Sequence, residues 1–540
     1  MAQVSASTAQ LTTSASAELA TPGAAGGRRS TPWRLYLALA LGSLTLGGVS
    51  ILYPSTPSYD PWGWLLWGRE IIHLKLLTVG GNSFKPFPVL FTIPFALFGK
   101  AQPDLWLALA RAGAIFTVAM AFKLAARITL SFMGDAGPAG RQGAARLLAY
   151  GPAVLAGTVA ALSVLISPQY IRDAALGYSE CLGAGMVLLA IDRHLDGKPR
   201  QTFVIGFIPA LDRPEIWAFW GLYGLYLWRR DPGARKLVLA LFALVPCLWF
   251  LPELWGSGHF FRGVTRALKP RGNAATFAKC PFCTEFKAGV GLSITRVEIF
   301  TGALILGAVI TVWRALRGRT AELSAALRDQ GRRPEALVIV LAVMAIIWFV
   351  EVSAMTQMGF SGNQRYLIIG GALVVVLGGV GWGIVAWKVG ELLGRVTGPV
   401  PGTAVASLAG TAVFLVFPSW VGGLFPTHKL DHALRYQAEL RHDLSAIIDE
   451  AGGAEKVRAC GTIETENFQK QMVSWYLGVE TVETNDDPQG EVDAEPADRD
   501  PNVIFQTRAT GTARLRPSVP KDVAYTVLHV RTFRLYEHCR

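Results

Sequence analysis

The sequence predicts an α-helical protein that crosses a membrane many times and ends in a small α+β domain. Of its 540 residues, 51% are hydrophobic and 17% are charged, whereas soluble proteins carry about 25% charged residues. Its mean hydropathy is +0.35. Apolar windows of roughly 17 to 25 residues recur along the chain, and each is long enough to span a bilayer as a helix. From about His428 onward the composition becomes polar and mixed.

The net charge of +12 does not indicate nucleic-acid binding. The basic residues gather in short loops between apolar runs, namely "GRQGAAR", "DRHLDGKPR", "RRDPGARK" and "RALRGRTAELSAALRDQGRRPE". An excess of Lys and Arg is typical of the cytoplasmic loops of membrane proteins. We therefore expect these loops to lie in the cytoplasm, and we expect no nucleic acid among the partners.

The elements are expected in the following order. Residues 1–32, which are rich in small residues, are expected to form a disordered cytoplasmic tail. Residues 33–426 are expected to form the membrane domain, with about 11 spans and a range of roughly 10 to 13. Its extracytoplasmic loops are predicted at residues 55–103, 166–180, 252–296 and 355–365. Within the first loop, "PFPVLFTIPFALFG" (Pro86 to Gly99) is short and interrupted by prolines, which favours a re-entrant or interfacial segment.

Residues 427–540 are expected to form an extracytoplasmic C-terminal domain. The run "VAYTVLHVRTFRLY" has the composition of strands, and "ETNDDPQGEVDAEPADRDP" is typical of a flexible loop. Disulfides persist outside the cytoplasm, so we expect Cys460 to pair with Cys539 and Cys280 with Cys283. A redox or zinc site at "KCPFC" would need a thioredoxin-like context or two further ligands, which the sequence around it does not offer.

The stretch "SYDPWGWLLWGREI" places Asp60 directly after the first apolar run. One interpretation is structural, because Asp before Pro is a common helix start and Asp60 would then be an N-cap. In that interpretation Trp62, Trp64 and Trp67 would lie at the membrane interface, where tryptophan is enriched. The other interpretation is that the Asp60 carboxylate belongs to a functional site. The local pattern alone favours the cap.

The segments that follow Asp60 support the functional interpretation. They are "REI", "TVGGNSF", "KPFPVLFTIPFALFG", "LWLALARAGAIFTVAMAFKLAARI" and, later, "ISPQYIRDAALGYSECLGAGMVLL". In this order and spacing they resemble the membrane-embedded GT-C glycosyltransferases, in particular the branch of the lipid A aminoarabinose transferase and the protein O-mannosyltransferases. The resemblance covers about residues 33–230. It implies a GT-C-like fold and an enzyme that transfers a sugar from a polyprenyl-phosphate donor to a cell-envelope acceptor.

The resemblance also implies roles for single residues. Asp60 stands at the position of the catalytic acid, Glu180 falls near a second acid, and Lys85 stands where a lysine holds the lipid phosphate. Two positions depart from the family pattern, because Pro61 replaces a second acidic residue and Phe84 replaces a glutamate before the lysine. These departures leave open whether a divalent cation is a cofactor. The sugar, a hexose or a pentose, and the acceptor, a glycan, lipid or protein, also stay open.

A donor phosphate at headgroup depth must be met by cations, which guides the choice of binding residues. The candidate substrate-binding residues are Lys85, Arg69, Glu70, Arg213, Glu215 and Arg365. Arg213 has an alternative role in a self-satisfied turn, neutralised by Asp212 and Glu215. Arg365 could equally serve as an interfacial anchor at the start of a span.

Two other classes of function stay open. A transporter or flippase of lipid-linked sugars would show charges near the middle of the bilayer and internal repeats, and we find no convincing repeat. A non-catalytic envelope-assembly protein with the same fold is consistent with Pro61 and Phe84.

Overall fold

A computed structural model describes residues 31–134, 137–138, 141–292, 334–421, 427–486 and 501–539. Residues 1–30, most of the basic loop at 314–335 and most of the acidic tract at 483–501 lie outside these residues, so the predictions for them are not tested. The first helices are α1 (Trp33–Val49), α2 (Tyr59–Ile72), α3 (Pro86–Ala96), α4 (Gln102–Met133), α5 (Gly143–Leu148), α6 (Gly151–Leu165), α7 (Pro168–Ala175), α8 (Glu180–Leu195), α9 (Pro199–Ala210) and α10 (Ile216–Arg230). The later helices are α11 (Arg235–Ser257), α12 (Arg262–Ala267), α13 (Pro281–Leu292), α14 (Pro334–Gln357), α15 (Ile368–Thr397), α16 (Pro399–Val421), α17 (Thr427–Glu450), α18 (Ala454–Ala459) and α19 (Lys470–Leu477).

The chain is a multi-pass membrane protein. Among the described residues, six stretches are long and apolar enough to cross a bilayer: Trp33–Leu52, Gly99–Met133, Pro232–Ser257, Pro334–Gln357, Gln364–Thr397 and Pro399–Val416. The pair α6 and α7, bent by 63° at its junction, makes a seventh if it counts as one span. Helices α8, α9 and α10 have 16, 12 and 15 residues, short of the roughly 20 that a span needs. The predicted number of about 11 spans therefore stays unconfirmed.

The centre of the membrane domain is built around two long helices. Helix α4 packs against α1, α6 and α8, and α15 packs against α6, α14 and α16. Because α8 is held against α4 along its length, the residues at its two ends lie at two separate levels of the bundle.

Helices α2 and α3 lie in close contact. Helix α3 has 11 residues, too few to cross a bilayer, which agrees with the prediction that Pro86 to Gly99 does not span. A Cβ atom at Gly68 would lie 2.5 Å from the backbone of Thr92, so only glycine permits this approach. The Thr92 hydroxyl donates a hydrogen bond to the Trp64 carbonyl oxygen at 2.7 Å. The start of α2, with Asp60, and the start of α3, next to Lys85, are thereby fixed relative to each other.

The described residues of the C-terminal part form six strands: β1 (Ile463–Thr465), β2 (Thr484–Asp486), β3 (Val503–Arg508), β4 (Leu515–Arg516), β5 (Thr526–Val530) and β6 (Phe533–Glu537). Their order is β2-β1-β3-β6-β5, with β4 paired to β3. The β1 strand is parallel to β2 and β3, whereas β6 is antiparallel to β3 and β5. The run "VAYTVLHVRTFRLY" forms the hairpin of β5 and β6, as its composition predicts. The predicted disulfides Cys460–Cys539 and Cys280–Cys283 are both present.

Helix α2 lies between the membrane bundle and the C-terminal part. Its tryptophans Trp62, Trp64 and Trp67 are all fully buried, and the Trp62 ring lies 5.3 Å from that of Trp475. The interpretation of these tryptophans as residues that face the membrane interface is therefore wrong. They bury large apolar surfaces on both sides of the helix and hold it in place.

Candidate active site

Four carboxylates and three cations from five separate parts of the chain meet at one end of α8. We call them the Glu180 cluster. Its members are Asp60 in the first turn of α2, Lys85 before α3, Glu180 at the start of α8, Asp212, Arg213 and Glu215 between α9 and α10, and Arg365 before α15. The structure thus brings together six of the eight residues proposed from the sequence as catalytic or substrate-binding. It adds Asp212, which the sequence indicated only as a partner of Arg213.

Glu180 lies at the centre of the cluster. Its side chain is only 1% exposed, and one carboxylate oxygen, Oε1, faces all three cations. The Nζ atom of Lys85 lies 2.8 Å from this oxygen, Nε of Arg365 lies 3.5 Å from it and Nη1 of Arg213 lies 3.6 Å from it. A carboxylate this deeply buried can stay charged only beside cations. Its position therefore favours a role in gathering the cations over direct contact with an acceptor.

Each cation also has an acid of its own. Lys85 lies 3.6 Å from Asp212 Oδ1. The Arg213 guanidinium pairs with Glu215, including an Nε to Oε2 contact of 3.1 Å, and Arg365 pairs with Asp60.

The alternative of a self-satisfied turn at Arg213 is thus only half right. Glu215 neutralises Arg213, but Asp212 turns towards Lys85 and accepts a hydrogen bond from the Ser179 hydroxyl at 2.5 Å. The turn is consequently part of the Glu180 cluster and is not closed on itself.

Aromatic rings line the cationic side of the cluster. The Arg213 guanidinium lies 3.6 Å from the ring centroid of Tyr366, and that of Arg365 lies 4.4 Å from the centroid of Tyr178. Lys85 Nζ lies 5.3 Å from the Trp64 ring. Such stacking stabilises a cation while leaving its N–H groups free for other partners. Tyr366 directly follows Arg365 and Tyr178 lies two positions before Glu180, but no sequence pattern indicated a role for either tyrosine.

Asp60 occupies the margin of the cluster. Helix α2 begins at Tyr59 after the cap residue Ser58, so Asp60 lies inside the first turn, and the interpretation as an N-cap is wrong. Its carboxylate instead pairs with Arg365. At 16% exposure its side chain is more accessible than that of Glu180. The interpretation of Arg365 as an interfacial anchor is also wrong, because Arg365 is buried in this pair.

Arg69 and Glu70 do not join the cluster. The Arg69 guanidinium donates hydrogen bonds to the carbonyl oxygens of Trp475 at 3.0 Å and Val479 at 2.8 Å. Glu70 Oε2 accepts a hydrogen bond from the backbone N–H of Leu77 at 3.0 Å, and burial raises the pKa of Glu70 to about 7. Their contacts join α2 to the C-terminal part and to the following loop. Nothing in this placement supports a role in substrate binding.

Three polar atoms of the cluster are buried without a hydrogen-bond partner among the described residues: Glu180 Oε2, Asp212 Oδ2 and Arg365 Nε. Buried polar atoms in proteins are nearly always hydrogen-bonded, so atoms without protein partners are the ones available to an ordered water, an ion or a ligand. No group of three or more His, Cys, Asp or Glu side chains within the described ranges is arranged to hold a metal ion. The described carboxylates of the cluster are instead paired with side-chain cations.

The C-terminal part reaches the same region through Phe468. The Arg271 guanidinium, from the segment between α12 and α13, lies 4.8 Å from the ring centroid of Tyr59 and 3.8 Å from that of Phe468. Tyr59 is the neighbour of Asp60 in the chain. The C-terminal part and the segment between α12 and α13 therefore both border the side of the cluster on which Asp60 lies.

No family model and no curated protein matches this chain. The solved structures that are similar to it include two of ArnT, the lipid A aminoarabinose transferase, from Cupriavidus metallidurans. The form described as bound to undecaprenyl phosphate has 13% sequence identity and a TM-score of 0.46, covering 94% of this chain and 98% of that one. The apo form has 13% identity and a TM-score of 0.44, covering 83% of this chain and 85% of the other. ArnT belongs to the branch that the sequence segments resemble.

Proposed function

We propose that this protein transfers a hexosyl or pentosyl group from a polyprenyl-phosphate donor to a cell-envelope acceptor. The observation that carries the proposal is the convergence of Lys85, Arg213 and Arg365 on the single carboxylate of Glu180, with Asp60 at the margin. Three adjacent cations are suited to a phosphate, whose several oxygens accept charge-assisted hydrogen bonds from lysine and arginine. The donor lipid would remain in the bilayer while its phosphate enters the cluster.

The proposed reaction is a displacement at the anomeric carbon of the sugar. The bond between this carbon and the phosphate oxygen breaks, and its electron pair leaves with the polyprenyl phosphate. A new bond forms to the acceptor hydroxyl oxygen, and the hydroxyl proton passes to the Asp60 carboxylate. The leaving phosphate gains one negative charge, which Lys85, Arg213 and Arg365 stabilise.

The pair of Arg365 and Asp60 couples donor binding to the base. Arg365 pairs with Asp60 and also lies near Glu180. A donor phosphate would compete with Asp60 for the guanidinium, because both are anions that bind arginine in the same way. Asp60 would then be released to accept a proton only when a donor is in place.

The proposed site lies on the extracytoplasmic face of the cell membrane. The N-terminus would lie in the cytoplasm and the C-terminal domain, about residues 427–540, outside, as the loop charges predict. The contact of Phe468 with Arg271 near Asp60 supports a role for this domain in presenting the acceptor, which can be a glycan, a lipid or a protein.

Asp60→Asn tests the proposal directly. Asparagine has nearly the same size but cannot act as the base, so turnover should fall by roughly a hundredfold to ten-thousandfold. Folding should persist, because Arg365 keeps Glu180 as a counter-ion at 3.5 Å. The measurement is the transfer of labelled sugar from cell-envelope polyprenyl lipids by membranes that contain equal amounts of each variant.

The exposed residue Asp449 in α17 provides a matched control, since Asp449→Asn makes the same chemical change outside the cluster. It should leave transfer unchanged. Equal transfer by wild type and Asp60→Asn would refute the role of Asp60 as base. No transfer above background by wild type would instead favour a non-catalytic function in envelope assembly.

A further inference from the structure

The chain segment that leads into Lys85 is held by two charged residues from a distant part of the sequence. Arg262 donates hydrogen bonds from Nη1 to the carbonyl oxygen of Asn82 and from Nη2 to that of Gly81, each at 2.6 Å. The backbone N–H of Phe84 donates to Glu253 Oε1 at 3.0 Å. Three of the four residues before Lys85 are therefore bound through their main chain by this one acidic and one basic side chain.

Further contacts extend the attachment on both sides. The Ser83 hydroxyl donates to the carbonyl oxygen of Gly263 at 2.7 Å, and the Thr78 N–H donates to that of Gly256 at 3.0 Å. A Cβ atom at Gly256 would lie 2.8 to 3.1 Å from atoms of Thr78 and Leu76, so the two segments could not approach this closely with another residue there. Residues 78–84 are consequently attached to residues 253–263 at five points.

The two charged residues are buried, which is costly. The side chain of Glu253 is 3% exposed and that of Arg262 is 13% exposed, and Glu253 Oε1 lies 3.7 Å from Arg262 Nη1. Glu253 Oε2 has no hydrogen-bond partner among the described residues. Burying a charge pair seldom increases stability compared with apolar residues of the same shape. The charges are therefore better explained by what they bind, which is the backbone just before Lys85.

Lys85 depends on the path of this backbone. Its Nζ atom is 2.8 Å from Glu180 and 3.6 Å from Asp212, and a displacement of the backbone by about 1 Å would change both contacts. On the other side of Lys85 the chain is fixed by the Phe87 N–H, which donates to the carbonyl oxygen of Leu211 at 3.1 Å. The side before Lys85 is fixed by Glu253 and Arg262.

We propose that Glu253 and Arg262 are positioning residues that hold Lys85 at the height of the lipid phosphate. They would determine how tightly the polyprenyl phosphate binds and would not take part in the chemical step. This inference rests on the proposed function in one respect, that Lys85 binds the phosphate of the donor lipid.

The test is a titration of the purified full chain, in lipid nanodiscs, with a fluorescent polyprenyl phosphate. Glu253→Ala and Arg262→Ala should each raise the dissociation constant by about ten- to a hundredfold, approaching the effect of Lys85→Ala. Glu253→Gln should bind within about threefold of wild type, because its amide oxygen can still accept the Phe84 N–H. When the sugar-carrying polyprenyl-phosphate donor is present at a saturating concentration, the rate of sugar transfer by Glu253→Ala and Arg262→Ala should be close to that of wild type.

Arg266 supplies the matched control, since it lies on the same short helix as Arg262 and donates a hydrogen bond to the carbonyl oxygen of Lys269, which is not one of residues 78–84. Arg266→Ala should bind the lipid as wild type does. Should Glu253→Ala fail to fold, Arg262→Lys replaces it, because lysine keeps the charge but lacks the planar fork that reaches both carbonyl oxygens.

The outcomes separate the two proposals. Normal binding by folded Glu253→Ala and Arg262→Ala, with weak binding by Lys85→Ala, would overturn the positioning role and leave the proposed function intact. Normal binding by Lys85→Ala would overturn both, because the phosphate would then lie elsewhere. Equal losses in Glu253→Gln and Glu253→Ala would also overturn the positioning role, since the hydrogen bond to Phe84 would not be what matters.

Discussion

The two ends of helix α8 each carry a buried cluster of ion pairs, but the clusters differ in how many of their buried polar atoms lack a hydrogen-bond partner. At the end opposite Glu180, Asp192 is fully buried and pairs with Lys123 and with Arg127 Nη1, the latter at 2.8 Å. We call this group the Asp192 cluster; its members are Tyr36, Lys123, Arg127, Asp192, Arg193 and Asp196. None of their side-chain atoms is buried without a partner, whereas the Glu180 cluster has three such atoms.

The difference indicates what each cluster is for. A charge network whose buried atoms are all paired can join helices, here α1, α4 and α8, but offers nothing to a ligand. A network with buried unpaired atoms is less favourable to folding and is expected at a site that gains partners when substrate binds. The Asp192 cluster therefore serves the fold, and the Glu180 cluster serves the proposed function.

The largest effect on stability is expected for Asp192→Asn. The change leaves Lys123 and Arg127 buried with one acid fewer between them, and breaking a buried pair in this way costs about 3 to 5 kcal/mol. Thermal unfolding of the purified protein in detergent measures this loss. A melting temperature equal to that of wild type would show that the Asp192 cluster does not hold the helices together.

Glu180→Gln makes the same chemical change at the other end of α8 and should give the opposite result. Each cation of this cluster keeps a second acid, so stability should change by about 1 kcal/mol or less. Binding of the lipid phosphate should weaken by roughly ten- to a hundredfold, which corresponds to about 1.4 to 2.7 kcal/mol. Lipid titration and thermal unfolding of the same preparation measure both quantities. A loss of stability in Glu180→Gln as large as that in Asp192→Asn would contradict the assignment of different roles to the two clusters.

A smaller effect is expected for Glu70, a buried carboxylate that belongs to neither cluster. Burial raises the pKa of Glu70 from 4.5 to about 7 in the folded protein. Its contribution to stability is therefore fully present below about pH 4.5 and is lost as the pH rises through 7. Glu70→Gln should remove this dependence and stabilise the protein by on the order of 1 to 2 kcal/mol above pH 7.

Melting temperatures of wild type and Glu70→Gln between pH 5 and pH 8 provide the measurement. The two curves should converge at the acidic end and separate at the alkaline end. Parallel curves would mean that Glu70 stays charged when folded. Loss of sugar transfer in Glu70→Gln, at unchanged stability, would instead restore the substrate-binding role that its sequence position suggested.

The sequence alone determined the features that depend on composition and on neighbours in the chain. Apolar runs predict a membrane domain wherever they occur, because the bilayer imposes one length and one polarity on every span. The strand-rich end, the short α3 segment and both disulfides follow from equally local signals. Arg213 and Arg365 could be selected because a charge at the end of an apolar run needs a reason, whereas Asp60 and Lys85 were selected through the resemblance to the GT-C glycosyltransferases.

The tertiary structure decided which of these charges meet. Lys85 and Glu180 lie 95 positions apart in the chain, and Asp60 and Arg365 lie 305 apart, so no local pattern could pair them. The same folding turned Arg69 and Glu70 away from the cluster, buried the tryptophans of α2 and directed Asp212 towards Lys85 and not Arg213. An ion pair depends on a few ångströms between side chains, and those distances are fixed only when helices from distant parts of the sequence pack together.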